Sequence, residues 1–426
     1  MNNFVCKLNL AAILLICMWI AIPFFRIRTG VIFLFLMFLV WLMTTDLKWL
    51  IEKISWDLIW LLIFFITFVP YLISGSLEYG SNGSNVILVN FPIFFVGIII
   101  NHYYLYYKED YKTLGRIAIF SLCFFTIGSL QTYFGLLEYP LAARELAGGE
   151  NKELSNIYSQ LGIGGFGHIY SASFLLIIAL YPIVRKARFT VNNKVVVLIS
   201  IISIFLMLLR ASYATSLIIV TLGLILIISV RNSFTFISYI IVSTFLFLLL
   251  IPKTVIVEFF LVVAGIFMEN NVLNQKFIDL ALAILNSSAD GQTGDRINLY
   301  LSSLKVFLSN PLFGIYGPLG NPNSGAIGGH SGWFDLLGYY GLFTAVPLFL
   351  TLFYNLRKHM RFYAKTNFYG FILVLYFLIL VYGAINPILY VYEIGFVLFC
   401  VAPAIPFIPY AFEIKKSDNL VLERGL

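Results

Sequence analysis

Charged residues are scarce in this chain of 426 residues: Asp, Glu, Lys and Arg together make up 11%, against about a quarter in soluble proteins. Histidine and cysteine are also rare, with four of each. The cysteines lie in or beside apolar runs and have no metal-ligand spacing (Cys6, Cys17, Cys123 and Cys400). The shortage of charge excludes a soluble globular protein, and the cysteine pattern argues against a disulfide framework and a zinc site.

Apolar residues take the place of the missing charges. They make up 61% of the chain and include 42 Phe and 26 Tyr, and aromatic rings concentrate where membrane helices meet the headgroups. The net charge is +7. An excess of Lys and Arg in a membrane chain marks its cytoplasmic loops, so it indicates no nucleic-acid partner. The composition predicts an all-α polytopic membrane protein.

Long apolar runs predict about twelve transmembrane helices, because a span needs about twenty mostly apolar residues. No small-residue cleavage motif follows the first run, so we expect it to be retained rather than removed as a signal peptide. The predicted spans are 9–25, 30–45, 57–73, 86–101, 117–135, 167–184, 195–210, 212–230, 234–251, 331–355, 368–386 and 391–411.

These spans divide the chain into four regions. Residues 1–251 hold nine spans and an outer loop near 136–166, and residues 252–330 form a large outer loop. Residues 331–411 hold the last three spans, and residues 412–426 form a polar cytoplasmic tail.

The distribution of Lys and Arg predicts which side each loop faces. With both termini in the cytoplasm, eighteen of the 27 Lys and Arg fall on inner segments and nine on outer segments. Cytoplasmic loops carry the excess of positive charge in membrane proteins. The loops near 136–166 and 252–330 are therefore expected outside the membrane.

The large outer loop is expected to fold into short amphipathic helices. Its third segment carries an apolar stripe at helical spacing (Ile297, Leu301, Leu304 and Leu308). Asn310-Pro311 ends this segment, because proline disfavours helical backbone in the residue before it.

Three motifs follow one another at the end of this loop: Asp295-Arg296, then Asn310-Pro311-Leu312-Phe313-Gly314, then Gly329-His330-Ser331. Their order resembles the large outer loop of the Wzy-type O-antigen polymerases and the related O-antigen ligases. The resemblance covers about fifty residues with motifs of moderate specificity. It implies a GT-C-like glycosyltransferase in the bacterial cytoplasmic (inner) membrane, with its active site on the outer face.

Two arginines are expected to bind a diphosphate. A guanidinium offers a planar fork of donors that matches phosphate oxygens, and the resemblance places diphosphate ligands at Arg296 and at the Arg210-Ala211-Ser212 turn. From the residues alone, an ion pair of Arg296 with Asp295 or a Glu on a solvated face is the more common role, and only the resemblance favours diphosphate binding. Arg210 is equally a snorkelling side chain at a helix end.

His330 and Asp335 are the expected catalytic residues. A neutral imidazole at His330 accepts a proton near neutral pH, and Ser331 is placed to cap the helix that follows. Asp335 lies one turn further along, where it either orients His330 or is itself the base. The alternative is that His330 is only an interfacial turn residue. His168 is expected to be structural, and His102 and His359 are poor candidates because they lie on inner segments.

The function expected from the resemblance is polymerisation of an O-antigen or similar surface polysaccharide. The donor is a growing glycan on undecaprenyl diphosphate and the acceptor is a lipid-linked repeat unit. A chain-length regulator and a flippase of the same pathway are expected partners. No metal or other cofactor is expected. The alternatives are an O-antigen ligase, which transfers the polymer to lipid A-core, and a lipid-linked oligosaccharide flippase, which would line a central cavity with charged residues.

Overall fold

A computed structural model provides the structure of the chain, and every regular element in its described residues is helical. These residues are 3–73, 86–148, 152–184, 190–229, 253–268, 274–275, 277–279, 281–282, 292–315, 327–366 and 368–412. The α-helices are α1 (Asn3–Ala21), α2 (Pro23–Thr44), α3 (Trp49–Glu52), α4 (Trp56–Ile66), α5 (Val69–Ile73), α6 (Phe91–Asn101), α7 (Tyr111–Glu138), α8 (Ala142–Gly148), α9 (Lys152–Gln160), α10 (Phe166–Val184), α11 (Val191–Ala211), α12 (Ala214–Ser229), α13 (Lys253–Ile266), α14 (Gln292–Ser309), α15 (Gly332–Phe362), α16 (Phe368–Ile385), α17 (Tyr392–Phe396) and α18 (Ala402–Ala404). Short π and 3₁₀ turns extend α6 to Tyr107 and continue α17 and α18 to Tyr410.

Ten helical segments in the described part of the chain are long and apolar enough to cross a membrane. They correspond to ten of the twelve predicted spans, so the chain is a multi-pass membrane protein of helices. The predicted span at 212–230 coincides with α12, whose apolar stretch Thr215–Ile228 is shorter. The predicted span at 234–251 lies outside the described residues.

The spans differ sharply in burial. The segment Tyr392–Tyr410 is 89% buried and Pro23–Thr44 only 11%. Around the first of these, aromatic side chains interlock at the middle of the bundle, with Phe399 packed on Phe94 and Phe95 at ring-centroid distances of 5.7 and 6.1 Å. The last span is therefore the core of the bundle, and α2 is a peripheral helix with an apolar surface suited to lipid.

Polar contacts concentrate at the two ends of the bundle. At one end Arg26 at the start of α2 pairs with Glu393 at the start of α17. At the opposite end Asp57 at the start of α4 pairs with Lys358 near the end of α15, at 2.9 Å. The charge distribution predicts Arg26 on an outer segment and Lys358 on an inner segment, so the first pair marks the expected outer end and the second the expected inner end. We refer to these as the Glu393 end and the Lys358 end.

Helix α15 folds back on itself at Gly341, where the backbone leaves the helical region (φ 63°, ψ −167°). In a straight helix Trp333 and Phe349 would stand about 24 Å apart along the axis. Their ring centroids are instead 5.5 Å apart. The nine residues Gly332 to Tyr340 thus lie alongside the longer arm. That arm, from Leu342 to Phe362, is long enough by itself to cross about 30 Å of hydrocarbon.

Candidate active site

The start of α15 carries the predicted catalytic pair. Ser331 is the N-cap, as predicted, since its Oγ accepts a hydrogen bond from the Phe334 amide at 3.3 Å. The same hydroxyl donates to the carbonyl of Gly383 at 3.3 Å, and the Gly332 amide donates to the carbonyl of Asn386 at 2.9 Å. These bonds fix the first turn of α15 against the end of α16.

Asp335 is 1% exposed and is held by two donors. Its Oδ1 accepts from the Ser303 hydroxyl at 2.6 Å and its Oδ2 from the Ser331 amide at 3.0 Å. The Ser303 hydroxyl also accepts from the Gly328 amide at 3.0 Å. Because both oxygens of this buried carboxylate accept hydrogen bonds, Asp335 holds Ser303 of α14 against the start of α15. This arrangement favours Asp335 as a positioning residue over Asp335 as the base.

His330 is exposed immediately before the cap. It is close enough to Asp335 for their charges to interact. Gly329, just before it, has a backbone φ of 70° and no atom within 4 Å of the position that a Cβ would take. The imidazole therefore stands at an open surface above a rigidly held helix start, as a group that meets a substrate must.

The Asn310–Gly314 segment fills the break in α15. The amides of Leu342 and Phe343 donate to the carbonyls of Pro311 and Leu312 at 2.8 and 2.9 Å. These bonds satisfy amide groups that begin the long arm of the helix, which would otherwise lack partners. The second motif of the outer loop thus anchors the loop to the membrane helix.

Arg296 lies in the second turn of α14, and its side chain is not among those that the structure describes. Its position along the helix is defined by Leu299, one turn further on. The carbonyl of Leu299 lies 2.3 Å from the position that a Cβ on Gly328 would take, so the two backbones touch. The helix that carries the first motif therefore packs beside the start of the third motif, because Gly328 is two residues from His330.

Arg210 lies in the last turn of α11, where its Nε donates to the carbonyl of Leu136 at 3.0 Å. Ser212 follows in the left-handed region (φ 54°), which makes the predicted tight turn. Arg144, from α8, also reaches this turn: its guanidinium donates to the carbonyl of Ser212 at 3.0 Å and lies 5.6 Å from the ring centre of Tyr213. Partial burial lowers the pKa of the Arg144 guanidinium.

Arg144 is a residue that the sequence did not single out. Its loop, near 136–166, held several charges of both signs and no motif. Only the packing of α8 against the Ser212 turn brings this cation beside Arg210. Together the two arginines form what we call the arginine turn.

A row of tyrosines joins the arginine turn to the start of α15. Tyr213 packs on Tyr170 at 5.5 Å between ring centroids, and Tyr170 on Tyr382 at 4.9 Å. The next residue, Gly383, supplies the carbonyl that accepts from Ser331. All four predicted site residues therefore belong to the Glu393 end of the bundle, with His330, Asp335 and the backbone of Arg296 in one group and Arg210 in another.

Buried charge near this region was not expected from the sequence. Arg26 lies 5.5 Å from the ring centre of Tyr392 and pairs with Glu393, which is 4% exposed. Beside them His168 is 1% exposed and stacks on Phe125 at 5.7 Å, consistent with the structural role predicted for it. No three His, Cys, Asp or Glu side chains in the described part of the chain are grouped as a metal site would require.

No protein family model matches this chain. A comparison with curated proteins also finds none that is significantly similar.

Proposed function

We propose that this chain is a membrane glycosyltransferase that polymerises the repeat units of a surface polysaccharide, with a GT-C-like arrangement of its helices. The donor is a growing glycan on undecaprenyl diphosphate, and the acceptor is a single repeat unit on the same lipid. The site lies on the outer face of a bacterial inner membrane, with both termini in the cytoplasm. A flippase and a chain-length regulator of the pathway are its partners.

The proposed reaction is one displacement at the anomeric carbon. A hydroxyl of the acceptor sugar attacks that carbon and forms the new glycosidic bond. The bond from the carbon to the diphosphate oxygen breaks, and its electron pair leaves with the lipid diphosphate. His330 accepts the hydroxyl proton. Arg296 and the arginine turn stabilise the negative charge that develops on the leaving group.

One observation carries the proposal: an exposed imidazole, a buried carboxylate that fixes its helix, and the arginines of two loops belong to one end of the bundle. A proton acceptor and arginines at the same end of the bundle suit transfer from a diphosphate donor. The predicted role of Asp335 as an alternative base is less well supported, because both of its oxygens already accept hydrogen bonds.

The ligase alternative uses the same donor and the same groups, so the acceptor alone distinguishes it. The flippase alternative gains some support from the buried ion pairs Arg26–Glu393 and Asp57–Lys358. Both pairs lie near the ends of their spans, however, whereas a transporter places its ionisable groups along a cavity near the bilayer midplane.

Deletion of the gene in a host with lipopolysaccharide distinguishes these functions. Loss of a polymerase leaves a ligase free to attach one unit, so we expect lipid A-core bearing a single repeat unit on a silver-stained gel. Loss of a ligase instead leaves long polymer on the polyprenyl carrier and bare core. Loss of a flippase leaves bare core and no polymer.

His330→Ala should reproduce the deletion pattern, since loss of a general base typically lowers the rate by a factor of about a hundred or more. His168→Ala, at the same end of the bundle, is the matched control. Cells that carry this variant at a normal protein level should still make polymer. Normal polymer from His330→Ala with loss in Asp335→Asn would transfer the base to Asp335. Long chains stranded on the carrier after deletion would support the ligase instead.

A further inference from the structure

A cavity of about 760 Å³ opens at the Lys358 end of the bundle, away from the proposed active site. Its walls come from the last turns of α15, the start of α4 and the π-helical turn after α6. Ligand sites typically have volumes of about 300–1,000 Å³. The cavity is lined by Ser55, Trp56, Asp57, Tyr106, Tyr354, Arg357, Lys358, Arg361 and Phe362.

The floor of this cavity is a closed polar network. Lys358 Nζ lies 2.9 Å from Asp57 Oδ2, 3.1 Å from Ser55 Oγ and 2.7 Å from His102 Nδ1. The Asn355 amide donates to Asp57 Oδ2 at 2.8 Å. The three donors of the ammonium are thus all used by protein atoms, and the charges of Lys358 and Asp57 cancel.

His102 and His359 belong to the same region. His359 Nδ1 lies 2.8 Å from the Tyr106 hydroxyl, and both histidines are at most 2% exposed. The prediction that they are poor catalytic candidates is untested. Their packing shows that they support the cavity floor and the Tyr106 wall.

The rim of the cavity carries two cations that the floor does not neutralise. Arg357 and Arg361 are exposed and stand one turn apart on α15. Neither forms an ion pair with any carboxylate in the described part of the chain. The lining charges are then Asp57 at −1 and Arg357, Lys358 and Arg361 at +1 each, which leaves a net charge of +2.

Aromatic side chains form the remaining walls. Trp56 is 61% exposed and stacks on Tyr354 at 6.0 Å between ring centroids, and Phe362 packs edge-on against Tyr106 at 5.5 Å. Exposed Trp and Tyr beside arginines at the end of a span are typical of the headgroup region of a bilayer. Helix α4 begins at the wall of this cavity without a side-chain cap, and the start of a helix attracts anions.

We propose that this cavity binds the phosphate group of an anionic membrane lipid, held by the Arg357 and Arg361 guanidinium groups with the glycerol backbone and first acyl carbons against Trp56 and Phe362. An excess of arginine at a cytoplasmic boundary explains two cations on a helix end. It does not explain why they border a cavity with a self-neutralised floor and aromatic walls. The proposal is independent of the proposed polymerase function, since the cavity lies at the other end of the bundle.

Brominated lipids test the proposal through the fluorescence of Trp56. The full-length purified chain in detergent is titrated with brominated phosphatidylglycerol or brominated phosphatidylcholine, and the same titration of Trp56→Phe is subtracted. We expect quenching of the Trp56 component at far lower concentrations of phosphatidylglycerol. The double variant Arg357→Gln/Arg361→Gln should bind it about thirtyfold more weakly, since each basic residue near a membrane surface contributes about 1 kcal/mol, which is a factor of about five.

The matched control is Lys48→Gln/Lys365→Gln, which removes two exposed charges at the same end of the bundle outside the cavity. It should retain the affinity of the unmodified chain. Equal quenching by the two lipids, or equal loss in the two double variants, would overturn the proposal. Displacement of the lipid by millimolar inorganic phosphate would overturn the lipid assignment and make the ligand a soluble phosphate compound.

Discussion

At the scale of single residues, the buried ion pair between Arg26 and Glu393 is a contact whose disruption is costly. The Glu393 side chain is 6% exposed and the Arg26 side chain 18%. Two charges in such surroundings have each lost most of their hydration, and the pair compensates for that loss only while it is intact.

Arg26→Met should therefore lower the free energy of unfolding by about 3–5 kcal/mol, because it leaves an unpaired carboxylate in the core. The double variant Arg26→Met/Glu393→Leu should recover most of the loss, since apolar side chains of similar volume replace a buried pair at little cost. Thermal unfolding of the detergent-solubilised protein measures both.

Arg28→Met, at an exposed position two residues away, is the control and should have little effect. If the double variant is no more stable than Arg26→Met, the pair owes its effect to packing around Arg26 rather than to charge.

Local patterns in the sequence predict some features of the candidate site and miss those that depend on residues far apart in the chain. The cap at Ser331 followed from residue type and position, and the structure confirms it. The burial of Asp335 did not follow, because its partner Ser303 is 32 residues away and polar groups of this kind look alike in sequence. Arg144 was missed for the same reason: the turn it contacts lies 68 residues further along.

At the scale of elements, the end of α14 and the break in α15 act as one joint. The prediction that Asn310-Pro311 ends the third segment is confirmed, since α14 ends at Ser309. The break at Gly341 was not predicted, because a glycine within an apolar run is common in membrane helices. The need for glycine at the break arises from tertiary packing, because a Cβ at Gly341 would lie 2.4 Å from the carbonyl oxygen of Leu312.

Gly341→Ala should destabilise the protein by about 3 kcal/mol or more. The backbone there has φ 63° and ψ −167°, a region that essentially only glycine occupies, and the added methyl group meets backbone atoms that cannot yield. Loss of the joint should also loosen the outer loop, so limited proteolysis should cut it faster.

Gly265→Ala is the matched control, because that glycine lies in α13 with no atom within 4 Å of the position that the added methyl group would take. A helical glycine replaced by alanine gains about 1 kcal/mol or less. A Gly341→Ala variant as stable as Gly265→Ala would show that α15 is able to straighten without loss.

At the scale of the whole molecule, the sequence predicted the helical, multi-pass character of the bundle, and its count of twelve spans stays a prediction. Hydropathy identified ten segments that the structure also contains, because a run of apolar residues is a local property. It does not distinguish a straight span from a helix that doubles back, as α15 does. The alternation of spans agrees with the Arg26–Glu393 and Asp57–Lys358 pairs, since each pair joins ends of spans that the alternation puts on the same side.

Cysteine labelling tests which end faces the cytoplasm. In a background without the four native cysteines, Gln160→Cys should react with an impermeant maleimide in outer-permeabilised cells, because α9 is predicted outside. Lys365→Cys, exposed just beyond α15, should react only after lysis. The reverse pattern would invert the orientation and move the proposed active site to the cytoplasm.

The burial of the last span has a consequence for biosynthesis. The ribosome makes Tyr392–Tyr410 after the other nine candidate spans of the described chain, yet this segment is the most enclosed of the ten. The contacts that bury this segment therefore form only after the earlier helices have been made. Arg26 is synthesised 367 residues before its partner Glu393, so their ion pair forms only near the end of translation. The interior is thus assembled late, and the chain is most prone to misfolding and aggregation while the bundle is incomplete.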